Sequence, residues 1–193
     1  QGYSDASAWS RGQAWGLYGY TMMYRETGQE KYLQHATNVA RFIMNHPRLP
    51  EDKIPYWDFD APNIPKADRD ASAGAIMASA FVELSTYVSG ELGKQFLSIG
   101  EQQIKSLASP AYRAKKVGDN NHFIIQHCTG FMGKQYEIDA PLTYADYYFV
   151  EALIRYKNLL EARPVVQTIT AFSENEDRAA WLSALHRMSC PLL

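Results

Sequence analysis

Cysteine is nearly absent. The chain has two, Cys128 and Cys190, too few for a disulfide framework or a cysteine-based zinc site. A reducing compartment is the default expectation. Charge of one sign is lacking as well: 19 Lys and Arg face 21 Asp and Glu, for a net charge of -2. No basic stripe suggests nucleic acid, and no acidic tail suggests a charge-driven partner. No run of eighteen apolar residues occurs, so no segment reads as a bilayer-spanning helix. Glycine-rich phosphate loops and nucleophile elbows are missing too.

What remains is an ordinary globular composition. The 193 residues, 46% hydrophobic and 21% charged, suit one domain or two small ones. Aromatics reach 13%, with 13 Tyr and 4 Trp. Three of the tryptophans, Trp9, Trp15 and Trp57, fall near the start. Aromatics beside polar groups suit sugar-binding clefts and ordinary cores alike.

Apolar spacing predicts helices over residues 8–27, 30–45, 71–89, 92–107 and 141–161. Ser10 is placed to cap the first, and Gly28 to stop it. Gly12, Gly16 and Gly19 share one side of it, which predicts close approach by another helix or a ligand. Asp70 is placed to cap the third helix and Pro141 to open the fifth. The proline-rich stretch 46–70 and the stretch 111–138 read as long connections, with Phe123-Ile124-Ile125 suiting a short extended piece. Residues 162–193 differ in character. Val165–Thr170 suits an extended segment, and Glu174–Met188 an amphipathic helix through Trp181, Leu182, Leu185 and Met188. The class is all-α with long loops.

The run Trp9-Ser10-Arg11-Gly12-Gln13-Ala14-Trp15-Gly16 places an arginine between two indoles at a helix start. Free N–H groups and the positive dipole end favour an anion there. A guanidinium can fork onto a carboxylate, and an indole covers a pyranose face, so the run suits a uronate. The competing reading makes Arg11 half of an internal ion pair and both tryptophans core. Asp58, Asp60, Asp70 and Asp139 are candidate carboxylates for proton transfer, and each equally suits a loop or cap role. His122 and His127, near Cys128, show no metal-ligand spacing.

Four stretches, taken in order, carry a resemblance. They are Gly2-Tyr3-Ser4-Asp5 with Ala8–Gly16; Ile54-Pro55-Tyr56-Trp57-Asp58-Phe59-Asp60-Ala61-Pro62; Asp70-Ala71-Ser72-Ala73; and Glu137-Ile138-Asp139-Ala140-Pro141-Leu142-Thr143-Tyr144-Ala145-Asp146-Tyr147-Tyr148-Phe149. Together they resemble the unsaturated glucuronyl hydrolases, glycoside hydrolase family 88. The resemblance implies an (α/α)6 barrel, a ring of six helical hairpins. It implies release of a 4,5-unsaturated uronic acid from the non-reducing end of lyase-generated oligosaccharides. An aspartic acid helps protonate the C4=C5 bond, water adds at C5, and the resulting hemiketal opens. No metal or organic cofactor is implied, and the two-carboxylate separation rule for glycosidases does not govern a hydration.

Residue by residue, the resemblance implies substrate contact by Gln1, Trp9, Arg11 and Trp15. His127 and Lys134 fall in a loop near the sugar subsites. In some members that loop carries serines and a lysine for substrate sulfate; here Cys128 and Phe131 stand where the serines are expected. The family's two catalytic aspartates and a site histidine are expected upstream of Gln1. A twelve-helix ring needs roughly 240 residues at about 14 per helix and about 6 per connection. The expectation is therefore the C-terminal half of a barrel over residues 1–161, followed by an extension, 162–193. Such a piece is expected to be silent alone, and to pair with the missing half or with itself through exposed helix faces. A bacterial source and a cytoplasmic or periplasmic home are implied by the family only. Two alternatives stand beside it: an unsaturated rhamnogalacturonyl hydrolase of the same superfamily, and a non-catalytic carbohydrate-binding or assembly module.

Overall fold

The computed structural model describes residues 2–166. Five α-helices form: α1 Ser10–Thr27, α2 Glu30–Asn45, α3 Ala71–Leu84, α4 Gly90–Ala108 and α5 Thr143–Leu160. Two single 3-10 turns, Asn120–His122 and Met132–Lys134, lie in the last long connection. Among the described residues the only β pairing is isolated bridges between loop segments. The all-α expectation holds.

Side-chain contacts set the helix directions. At one end Arg11, in the first turn of α1, meets Asp70, the N-cap of α3, at 2.6 Å. Trp15 lies 5.3 Å from Tyr148 in the second turn of α5. At the other end Arg25 of α1 and Arg155 of α5 converge on Glu83 of α3, at 2.7 and 2.9 Å. Starts lie by starts and ends by ends, so α1, α3 and α5 run parallel. Each of the first two is followed by a helix that returns beside it. Tyr20 of α1 stacks on Tyr32 and His35 of α2. On α4, Gly100 lets the backbone close on α3: a Cβ there would sit 3.2 Å from Val82 and 3.3 Å from Phe81. Three parallel inner helices and two outer ones make an arc of a ring of helical hairpins, part of the (α/α)6 barrel that the family resemblance implies.

The core is centred on α3, in which every residue is buried. Its alanines let neighbours approach on all sides, while Ile76, Met77, Phe81 and Leu84 fill the gaps. Burial of each such large side chain contributes about 1.5–3 kcal/mol. Asp70 caps the helix as predicted, accepting from the backbone N–H groups of Ser72 and Ala73 at 3.1 and 3.3 Å.

Several helix ends differ from expectation; α4, for one, runs from Gly90 to Ala108 rather than over 92–107. The cap of α1 is Trp9, not Ser10, and the Ser10 hydroxyl is buried without a partner. α3 stops at Leu84 rather than 89, because the hydroxyls of Ser85 and Thr86 bond back to the carbonyls of Val82 and Glu83 and close the last turn. α5 starts at Thr143, with Leu142 as its cap, so Pro141 lies outside the helix. Gly28 stops α1 as expected, at φ 65°, with its N–H on the Tyr24 carbonyl. The segments expected over 165–170 and 174–188 fall wholly or mostly outside the described residues.

Candidate functional site

The two long connections gather at the starts of the inner helices. Ser10 N–H donates to the Trp57 carbonyl at 3.2 Å, and Ala71 N–H to the His127 carbonyl at 3.0 Å. Residues 128–140 form a narrow loop pinned by the bridges Cys128–Ala140 and Phe131–Tyr136. Between this loop and α1 lies a cleft of about 350 Å³, lined by Trp9, Arg11, Trp15, Gly130, Phe131, Tyr136, Glu137 and Tyr144. The N-terminal turns of α1 and α5 border it, so their positive dipole ends favour an anion.

The sequence placed Trp9, Arg11 and Trp15 together, and the structure does bring them to one cleft. Trp15 stands 37% exposed, its ring held against Tyr148 and Tyr144. Arg11 is buried, with its guanidinium 4.9 Å from the Trp9 ring and 5.6 Å from the Tyr144 ring. Its fork, however, is not free. One Nη donates to Asp70 Oδ2 and to the Thr129 carbonyl, and the other to the Gly130 carbonyl. Of the two readings of Arg11, the internal ion pair is present in this structure, within a residue that still lines the cleft. Burial pushes the Tyr144 hydroxyl above its ordinary pKa; Arg11 opposes that and Asp70 reinforces it. Tyr144 therefore stays a neutral hydrogen-bonding group at physiological pH.

The other predicted residues divide. Lys134, at the loop tip, sets its ammonium 5.5 Å from the Phe131 ring at the cleft's edge. His127 is turned away. It lines a neighbouring cavity of about 340 Å³ with Asp52, Asp68, Arg69 and Tyr112, and its Nδ1 lies 2.5 Å from Asp139 Oδ1. Gln1 lies outside the described residues. Cys128 is buried, and burial pushes its thiol well above the ordinary range, so it is not a reactive thiolate.

The candidate carboxylates prove to be organisers of loops. Asp58 is buried and accepts from Tyr3 N–H, the Ser7 hydroxyl and Asp60 N–H at 2.8–2.9 Å. Asp60 pairs with Arg48. Among the described residues no group of three or more His, Cys, Asp or Glu side chains is placed to hold a metal ion.

Sequence reasoning missed Tyr144, Tyr136 and Glu137 as cleft residues. For Tyr144 a signal existed, since Tyr144 and Tyr148 are four apart on one helix face. For Glu137 there was none, because its place depends on Gly130 across the loop. A Cβ on Gly130 would lie 2.5 Å from Glu137 Oε2.

Comparison with known proteins decides the family. An unsaturated glucuronyl hydrolase from Formosa agariphila is 49% identical over 160 residues, 83% of this chain and 39% of its own length. The chain belongs to the unsaturated glucuronyl hydrolase family. The unsaturated glucuronyl hydrolase of Bacillus sp. strain GL1 is 34% identical over 160 residues, 80% of this chain and 41% of its own. The crystal structure of an unsaturated glucuronyl hydrolase specific for heparin superposes with TM-score 0.81 at 50% identity, covering 83% of this chain and 43% of that one. No family model matches. The chain thus spans about two fifths of the length of the relatives it matches.

Proposed function

We propose that this chain supplies one wall of an unsaturated glucuronyl hydrolase site. It holds the 4,5-unsaturated uronate at the non-reducing end of a lyase-generated oligosaccharide. The reading rests on one observation: Trp9, Arg11, Trp15 and Tyr144 line a single cleft at helix starts. The rings of Trp15 and Tyr144 cover the sugar, and the Arg11 charge faces its carboxylate. Gln1 adds a hydrogen bond.

In the reaction a proton goes to C4 of the double bond, water gives its oxygen to C5, and the hemiketal opens to release the next sugar. A proton donor must therefore stand in the cleft. Asp70 is fully engaged by Arg11 and by its own helix cap. Glu137 is exposed on the loop. Neither is a buried, free acid, which supports a chain that binds but does not turn over alone. The remainder of the relatives' length supplies the donor and covers the open helix faces. A self-contained binding module is disfavoured by those faces, since Tyr147 and Ile154 of α5 are 60% and 53% exposed.

The test is a titration of the chain with an unsaturated glucuronyl disaccharide. Tryptophan fluorescence reads binding, and loss of the double bond's ultraviolet absorbance reads turnover. Saturable binding that Trp15→Ala weakens about tenfold, without turnover, is expected. Absence of binding overturns the site, and turnover at the rate of full-length relatives overturns the silence.

A further inference from the structure

Asp70 is wholly buried, and both of its carboxylate oxygens have partners. Oδ1 faces its own helix, accepting from the Ser72 hydroxyl at 2.5 Å, from Ser72 and Ala73 N–H, and from Thr129 N–H at 3.4 Å. Oδ2 faces α1 and takes Arg11 Nη1 at 2.6 Å. One carboxylate thus joins the first turn of α3, the loop at Thr129 and the guanidinium of α1. A capping residue needs only its Oδ1 bonds. The second oxygen does something more: with the Thr129 and Gly130 carbonyls it fixes both Nη atoms of Arg11. The guanidinium plane is thereby held against Trp9 and Tyr144 at the cleft wall.

We propose that Asp70 is the positioning residue for Arg11 in recognition of the substrate carboxylate. This rests on the reading of the cleft as a uronate site. Asp70 touches no substrate. It restricts Arg11 to one rotamer, so the positive charge is met at a fixed point of the cleft and no side-chain ordering is required on binding. A second effect opposes the first, because a paired guanidinium attracts an anion less strongly. Recognition then depends on where the charge sits, and should fail when the charge is left in place but unanchored.

The experiment compares two ligands with the full chain: the unsaturated disaccharide and its uronate methyl ester, which has no charge. Wild-type protein is expected to prefer the acid about tenfold, the scale of one charge-assisted hydrogen bond. Asp70→Asn keeps a capping side chain but removes the anchoring charge. It is expected to bring the acid-to-ester preference to about twofold while ester affinity stays within about twofold of wild type. Retention of the full preference in Asp70→Asn overturns the proposal, and so does equal loss of acid and ester binding, the signature of a merely structural role. Should Asp70→Asn fail to fold, Asp70→Glu decides: it keeps the charge and displaces it by one methylene, so an unchanged preference overturns the proposal and a several-fold lower one supports it. A wild-type chain that binds both ligands equally removes the uronate reading of Arg11 itself, and is thereby distinguished from failure of the Asp70 role.

Discussion

Glu83 of α3 and Arg155 of α5 form an ion pair at 2.9 Å, and both side chains are nearly inaccessible to water. Arg25 of α1 meets the other Glu83 oxygen at 2.7 Å, and Tyr87 donates to that same oxygen at 3.2 Å. Arg155 also bonds the Ser79 carbonyl and the Tyr18 hydroxyl. The three inner helices are thus locked together at the end opposite the cleft. Removing one partner of a buried pair costs about 3–5 kcal/mol, because the other charge is left uncompensated. Glu83→Gln is expected to lose that much in urea unfolding. Arg25→Met is expected to lose less, since Arg25 is partly open to solvent, which screens the pair. Equal losses for the two would contradict this ranking.

The glycines of α1 separate two kinds of position. A Cβ on Gly12 would lie 2.7 Å from the Trp9 ring, whereas Gly16 and Gly19 have nothing within 4 Å. Gly16→Ala and Gly19→Ala are expected to stabilise the chain by about 0.5–1 kcal/mol each through helix propensity alone. Gly12→Ala is expected to destabilise it and to weaken sugar binding, because the Trp9 indole must move. Thermal melts of the three variants, with a fluorescence titration of the third, check both halves.

These glycines also mark where sequence reading stopped. A shared side was legible from spacing, but only Gly12 is closely approached among the described residues, by a ring three positions away. Helix α2 was legible to the residue because its apolar stripe keeps one period from end to end. The end of α3 was not, since Ser85 and Thr86 terminate it with hydroxyl bonds that leave no mark in hydropathy. At the site, the indoles and Arg11 were legible as a cluster because they fall within the cap and first two turns of one helix. The partner of Arg11 lies 59 residues away, and no local pattern selects Asp70 over Asp58 or Asp60. The place of His127 was not legible for a similar reason: it pairs with Asp139 and lines the neighbouring cavity, and loop register is a tertiary property.

Acid should weaken the α2 end of the structure. His46 packs against Phe59 at 4.5 Å and Phe42 at 5.2 Å. Burial lowers its pKa below the ordinary 6.5, with Asp60 opposing and Arg48 adding to the shift. In the unfolded chain the imidazole titrates near its ordinary value, so between the two values the unfolded state binds more protons. Stability is then full above about pH 6.5 and falls as the pH drops through the folded value. Melting at about pH 7.5 and about pH 5 in wild type and His46→Phe tests this. The variant should lose part of the acid sensitivity, and an identical pH dependence would assign it to other groups.

The outward face of α5 bears on what the chain does alone. Tyr147, Val150 and Ile154 recur three and four residues apart, and all are well exposed. With Thr143, Asp146 and Glu151 they line a shallow groove of about 500 Å³. Side chains at this spacing form one helix stripe, directly opposite Ala145, Phe149 and Ala152, which are buried against α3 and α4. A stripe of this kind on a ring fragment sits where a neighbouring inner helix belongs. Left open, it favours association with any similar surface. Light scattering across a concentration series is expected to show reversible self-association of the wild-type chain. Val150→Lys combined with Ile154→Glu should shift it towards monomer while helical circular dichroism is unchanged, because neither side chain supports the core. A wild-type chain that stays monomeric at every concentration would mean that the stripe is already covered within the chain, and the open-arc account of the fold would fall with it.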